Sequence, residues 1–343
     1  MPHVLVARLD NAGDVLLAGP AVRAVAAGAR RVTMLCSRAG RPAAELLPGV
    51  DDIVVFDAPW VSFDAPPVDR TGTDALVDRV AALDIDRAFV LTSFHQSPLP
   101  LALLLRLGGI GEIAATSTDY PGRLLDVRHG AVEGAHEVEQ SLSLVATLGH
   151  SLPTSDDGRL AVRRPLPSWR PCEEPYVVVH PGASVPARGW DEGRAAALVE
   201  LLVGEGRRVV VTGGPGERTL TALVAGTSGI DLGGRVDFAG LAAVLDGASA
   251  VVSGNTGPAH LAAAVGTPVV SIFAPVVPAT RWRPWGVPTV LLGDQDIACA
   301  GCRARTCPLD RQHCLDAVTP EAVAEALRTL DHQETTILQA VPA

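Results

Sequence analysis

The sequence predicts a doubly wound α/β protein made of two Rossmann-like domains. Short apolar runs of strand length alternate with helical patterns over most of the 343 residues. A proline-crowded stretch interrupts that alternation near the middle, and glycine- or aspartate-bearing turns follow several of the runs directly. Alternation of this kind implies parallel sheets covered by helices on both faces.

In the first half, β-like runs fall at residues 4–9, 32–35, 53–56, 87–91 and 112–114. Helical patterns fall at 15–27, 41–47, 74–83, 99–107 and 138–148, with apolar residues recurring at helical spacing. Residues 151–175 carry Pro153, Pro165, Pro167, Pro171 and Pro175 in a polar setting and read as the interdomain linker. Alternation then resumes. Strands are expected at 176–180, 208–212, near Ile230, 250–253 and 269–273, and helices at 192–204, 217–225, 241–247 and 259–265. A last helix over 320–330 has Thr319 as its N-cap. The expected domains are therefore 1–168 and 169–330, with a frayed tail over 331–343.

Composition narrows the function. The chain is 48% hydrophobic, enough to bury two cores, and its net charge is −10 with no basic run, which argues against nucleic acid as a partner. All 28 basic residues are arginine. The most apolar stretch, 99–105, is far shorter than the roughly 20 residues of a spanning helix. Arg8 and Asp10 interrupt the first apolar run, unlike a signal peptide. A cytoplasmic location is expected, with peripheral membrane contact open to it if the acceptor is lipid-linked.

In open α/β sheets ligands bind beyond the carboxyl ends of strands. Four loops follow strands and could face one cleft between the domains: residues 10–14, 181–190, 213–217 and 254–257. The last is the most informative. A strand ending near Val252, the turn Gly254-Asn255-Thr256-Gly257, then Pro258 and an alanine-rich helix make an anion-binding device, because helix N-terminal amides and the dipole favour a phosphate. His260 lies one turn into that helix, as a packed residue or as a partner for a phosphate or leaving group. The first loop lacks G-x-G-x-x-G, so a dinucleotide fingerprint is absent. Asp14 is either an N-capping or first-turn carboxylate that stabilises the helix dipole, or a general base. Glu217 is either a helix-start carboxylate or an acceptor for ribose hydroxyls, and Arg188 either a solvated charge or a partner for a diphosphate.

Cys299, Cys302, Cys307 and Cys314 form C-x2-C-x4-C-x6-C, with His313 as a substitute ligand. In a reducing compartment such a cluster points to thiolate ligation of zinc or iron–sulfur rather than to disulfides, although the spacing lacks paired zinc-ribbon knuckles. Cys36 and Cys172 are isolated.

Taken in order, these segments resemble glycosyltransferase family 9, the ADP-heptose:lipopolysaccharide heptosyltransferases. The resemblance rests on residues 4–16 with the turn Gly13-Asp14-Val15-Leu16, on His180-Pro181-Gly182-Ala183 through Arg188 and Trp190, on Gly213-Gly214 through Glu217, on residues 254–264, and on the Cys-rich segment 298–315. It implies a GT-B fold and inverting, metal-independent sugar transfer from a nucleotide-diphosphate donor, ADP-heptose by family default, to a glycan, glycolipid or small-molecule hydroxyl, without a cofactor and by a monomer. By the same resemblance Asp14 is the base, Arg188 and His260 meet the donor phosphates, Glu217 holds the ribose, and Thr256 and Gly257 offer amides. Closure of the cleft would bring Asp14 to the anomeric carbon. Two positions depart from the family pattern: Asn255 stands for an aspartate and Arg188 for a lysine. The alternatives are a nucleotide-sugar 2-epimerase-like enzyme and a non-catalytic nucleotide-sugar-binding protein.

Overall fold

A computed structural model describes residues 1–61 and 67–339, with backbone alone over 333–339. The chain divides into two compact units, Met1–Arg163 and Arg164–Ala343. The division falls five residues before the expected 168/169. Its cause lies in two consecutive arginines. Arg163 donates its backbone N–H to Leu46 O and its Nε to Leu47 O in the first unit, whereas the Arg164 guanidinium pairs with Asp246 at 2.7 Å in the second. The prolines that marked the linker mostly follow this point.

In the first unit, six parallel strands run β1 (His3–Arg8), β2 (Arg31–Cys36), β3 (Asp52–Val55), β4 (Arg87–Leu91), β5 (Glu112–Thr116) and β6 (Val127–His129), in the order β3-β2-β1-β4-β5-β6. Helices α1 (Ala12–Leu17), α2 (Gly19–Gly28), α3 (Arg41–Leu46), α4 (Arg70–Ala81), α5 (Leu99–Leu107) and α6 (Glu137–Ala146) connect or flank them. β1 is buried along its whole length, as a central parallel strand between two helix layers must be. The expected single helix over 15–27 is two helices, because Pro20 has no N–H to continue the ladder and the chain turns at Ala18.

The second unit repeats the plan. Its strands are β7 (Tyr176–His180), β8 (Arg208–Val211), β9 (Ile230–Asp231), β10 (Ala250–Gly254), β11 (Val269–Ile272) and β12 (Thr289–Leu292), in the order β12-β11-β10-β7-β8-β9. Its helices are α7 (Glu192–Gly204), α8 (Arg218–Ala225), α9 (Phe238–Asp246), α10 (Gly257–Val265), α11 (Ala279–Trp282) and α12 (Pro320–Gln339). Helices α4 and α9 begin earlier than their apolar periodicity indicates, because Asp69 and Asp237 cap them on Gly72 N–H at 2.8 Å and Gly240 N–H at 2.7 Å. Thr319 caps α12 as expected, its Oγ1 taking Ala322 N–H at 3.2 Å. That helix continues through Gln339 instead of ending at Leu330, since no glycine or proline intervenes. Strands β6 and β12 were not expected: the first is three residues long, and the second follows a proline-rich stretch.

Each sheet reverses direction beside its first strand, between β1 and β4 and between β7 and β10. Such a switch point leaves a crevice at the strand C-termini where ligands bind. All seven expected site residues lie in segments that leave these four strands or the adjacent β8. Among the described residues, no helix is long and apolar enough to cross a membrane.

Candidate functional site

At the first switch point the last residue of β1 organises the site. Arg8 is 2% exposed, and carboxylates surround its guanidinium. Nε lies 2.8 Å from Asp10 Oδ2 and one terminal nitrogen 3.2 Å from Glu137 Oε2. The other terminal nitrogen donates to Asp14 Oδ1 at 3.0 Å and Ser93 Oγ at 2.9 Å. Asp10 in turn accepts from Gln96 Nε2 at 2.6 Å. Burial pushes the Asp10 carboxyl up against the opposing pull of Arg8, and the three carboxylates hold the Arg8 guanidinium charged despite the cost of burial.

Asp14 is a first-turn residue of its helix and not the N-cap. The N-cap of α1 is Asn11, whose side chain makes no cap bond, and Asp14 sits in the first turn with its carboxylate on Arg8. Its side chain is 21% exposed, the most open of the three carboxylates. A held, accessible carboxylate has the geometry a general base needs. The sequence named Asp14 alone. Asp10, Ser93 and Gln96 lie in loops that leave strands β1 and β4, and Glu137 lies 129 positions from the arginine it binds.

At the second switch point backbone dominates. The Gly254 turn packs beneath the Pro186–Arg188 turn, where a Cβ on residue 254 would sit 3.1 Å from the Arg188 carbonyl. This close approach, which glycine allows, brings the Arg188 loop alongside the start of α10. Asn255 is buried, and among the described residues its Nδ2 has no partner. A buried donor left in that state costs about 1–3 kcal/mol unless something supplies an acceptor. Of the two amides expected to face an anion, that of Thr256 turns inward to Gly254 O at 2.8 Å, and its hydroxyl reaches Ser253 Oγ at 3.2 Å. Gly257 opens α10, with Pro258 in the first turn, and His260 is buried. Gly266, at φ 94°, ends this helix in the left-handed conformation.

Glu217 lies on the far side of β7. Its Oε2 takes Gly214 N–H at 2.7 Å, closing the turn after β8, and its carboxylate lies directly over Gly182, where any Cβ would overlap it. His180, at the end of β7, has its Nε2 3.9 Å from Glu217 and its Nδ1 2.9 Å from Thr212 Oγ1. Burial lowers the imidazole from 6.5 to about 4, more than Glu217 raises it, so His180 is neutral at physiological pH. The helix-start reading of Glu217 thus holds in part, since one oxygen closes the turn.

The Cys-rich segment braces this site. Arg305 O accepts Ala187 N–H at 2.8 Å, and Gln312 Nε2 donates to Pro186 O at 3.0 Å, so the segment props the turn that carries Arg188. The four thiols are free, and among the described residues no three His, Cys, Asp or Glu side chains converge as a metal site. The two ring nitrogens of His313 face Asp316 and Asp310 at 3.0 Å each, and those carboxylates favour its charged form. A cavity of about 370 Å³ beside the segment is lined by Trp190, Arg194, Cys307 and Arg311 among others, but by none of the seven expected site residues.

Residues 101–313 match the profile of glycosyltransferase family 9 (heptosyltransferase). Lipopolysaccharide heptosyltransferase 3 of Escherichia coli is 30% identical over 169 residues, 45% of this chain and 48% of its own length. The match thus spans about half the length of the curated relative. A glycosyl transferase family 9 structure from Veillonella parvula superposes with a TM-score of 0.76 at 17% identity, covering 96% of this chain and 97% of that one. The structure of E. coli ADP-heptose lps heptosyltransferase II gives 0.74 at 20% identity, covering 98% of this chain and 100% of that one. These likenesses show a shared fold, the GT-B type built from two Rossmann-like domains. With its profile matched over more than half its length, the chain belongs to glycosyltransferase family 9.

Proposed function

We propose that this chain is an inverting, metal-independent glycosyltransferase that moves heptose from an ADP-linked donor to a hydroxyl of a glycan, glycolipid or small molecule. The observation that carries the reading is Asp14, an accessible carboxylate held by a buried arginine at the first unit's switch point. Family membership and the names of the relatives support heptose as the sugar and ADP as the nucleotide.

The roles divide between the units. In the first, Asp14 takes the proton from the acceptor hydroxyl as its oxygen attacks the anomeric carbon. The bond from that carbon to the diphosphate breaks on the opposite face, which inverts the configuration. In the second, Arg188, the start of α10 with Gly257, the Thr256 hydroxyl and His260 meet the charge that develops on the diphosphate. Fixed hydrogen-bond donors of this kind, together with the arginine charge, supply the stabilisation a divalent ion would otherwise give. The Glu217 carboxylate, held by Gly214 at one oxygen, accepts from the ribose, and the Asn255 amide finds its partner on the donor. No cofactor enters this scheme. A cytoplasmic monomer that meets a membrane only at its surface fits it.

The test uses the purified protein with ADP-heptose, a lipid-core acceptor and EDTA. Transfer with the anomeric configuration opposite to the donor's is expected by proton NMR. Retained configuration, or epimerised nucleotide sugar without transfer, would overturn the reading.

A further inference from the structure

We infer that Glu137 is a positioning residue for Asp14, acting through the Arg8 guanidinium. The inference rests on the reading of Asp14 as the base. Glu137 opens α6, 2% exposed, and reaches across the sheet end to Arg8 at 3.2 Å. A carboxylate is rarely buried this deeply unless it is paired, and this one is paired with a side chain that also holds the proposed base.

The geometry assigns each edge of the guanidinium a separate partner. Nε faces Asp10 from the loop after β1, one terminal nitrogen faces Glu137 from α6, and the other faces Asp14 from α1 and Ser93 from the loop after β4. Gln96 stands behind Asp10, and His136, beside Glu137, turns its Nδ1 to Val138 N–H at 3.2 Å. The hydrogen bond to Glu137 on one terminal nitrogen and that to Ser93 on the other fix the plane of the guanidinium and present the second nitrogen to Asp14, with the Asp10 charge beside Nε. A lone arginine on a flexible stem would settle into a two-pronged pair with Asp14 and cover both its oxygens. Here one terminal nitrogen of Arg8 donates to Asp14 Oδ1.

Charge sharing has a second consequence. One guanidinium set against three carboxylates leaves a net charge of −2 when all are ionised (+1 − 3), so the positive charge available to Asp14 is diluted. Removing the Glu137 charge would concentrate it on Asp14 and weaken that residue as a base.

The test measures the side-chain ¹³C titration of Asp14 in the full chain, together with ADP affinity and the pH profile of transfer. In Glu137→Gln, which keeps shape and a hydrogen-bond acceptor, the Asp14 resonance should move to lower pH than in the native protein, with ADP affinity within about twofold. The acid limb of turnover should move down with it, and kcat should fall while KM for the donor holds. Ser93→Ala, a smaller change, should move the resonance the same way by less, and Arg8→Lys should move it upward, since one ammonium cannot serve three carboxylates. An unmoved Asp14 titration in a folded Glu137→Gln, or loss of ADP affinity matching the loss of turnover, would overturn the inference. If no acceptor is ever glycosylated, the proposed function fails while the ¹³C titration still reads the coupling.

Discussion

The two units share a strand order and differ in almost everything set upon it. In the first, the switch point holds four charged side chains, with a buried arginine ringed by Asp10, Asp14 and Glu137. In the second, the corresponding place is made of glycines and turns, and Gly182, Gly213 and Gly254 lie tight against neighbouring atoms. Its nearest carboxylate, Glu217, is tied to a backbone amide. The first arrangement suits moving a proton; the second lets a ligand approach the main chain. Topology supplied the location twice, and local residues chose the chemistry each time.

The sharpest way to break this comparison is to remove the proposed base alone. Asp14→Asn should lower turnover about 10³-fold and leave ADP affinity unchanged by calorimetry. A parallel loss of nucleotide binding would mean that the division of labour between the units is wrong.

The next contrast concerns pH. His180 of the second unit is held at about 4, below its ordinary 6.5. As pH falls below 6.5 the unfolded chain takes up a proton that the folded chain refuses until about 4. Stability present above 6.5 is therefore lost over that window, by up to about 3 kcal/mol from this residue. Urea denaturation at pH 7 and pH 4.5 should show a smaller loss for His180→Gln than for the native chain. An equal loss would assign acid sensitivity to the carboxylate cluster of the first unit instead.

Smaller effects test the backbone-built side. Arg188→Ala should weaken ADP binding about 30-fold, or roughly 2 kcal/mol, with Arg188→Lys recovering most of it. Gly182→Ala, which forces the Glu217 carboxylate aside, should weaken ADP about fivefold, roughly 1 kcal/mol, without touching the Asp14 titration. Both are read by calorimetry, and an effect of Arg188→Ala confined to turnover would move that residue out of ground-state binding.

Local pattern made the fold legible where one element is a self-contained signal. The expected strands over 87–91 and 176–180 and the helices over 99–107 and 192–204 coincide with β4, β7, α5 and α7, because unbroken apolar runs and helical periodicity need no distant partner to be read. Elements whose limits depend on a cap or a single proline were misjudged, as in α2, α4 and α9. At the candidate site, the Gly254 turn stood out through local turn chemistry, whereas Asp14, Arg188 and Glu217 stood open between structural and functional readings until the resemblance to glycosyltransferase family 9 gave them roles.

What the sequence determined by itself is therefore the two alternating halves, the parallel sheets they imply and the loops that leave the strands beside each switch point. Tertiary structure alone decided which side chains meet there: Glu137 on Arg8 across 129 positions, the Arg188 carbonyl on Gly254, Glu217 over Gly182, and the Cys-rich segment under the Pro186–Arg188 turn. The reason is range. Hydrophobic period and turn chemistry act between near neighbours, whereas these contacts depend on strand register and helix packing that exist only after the sheets have assembled.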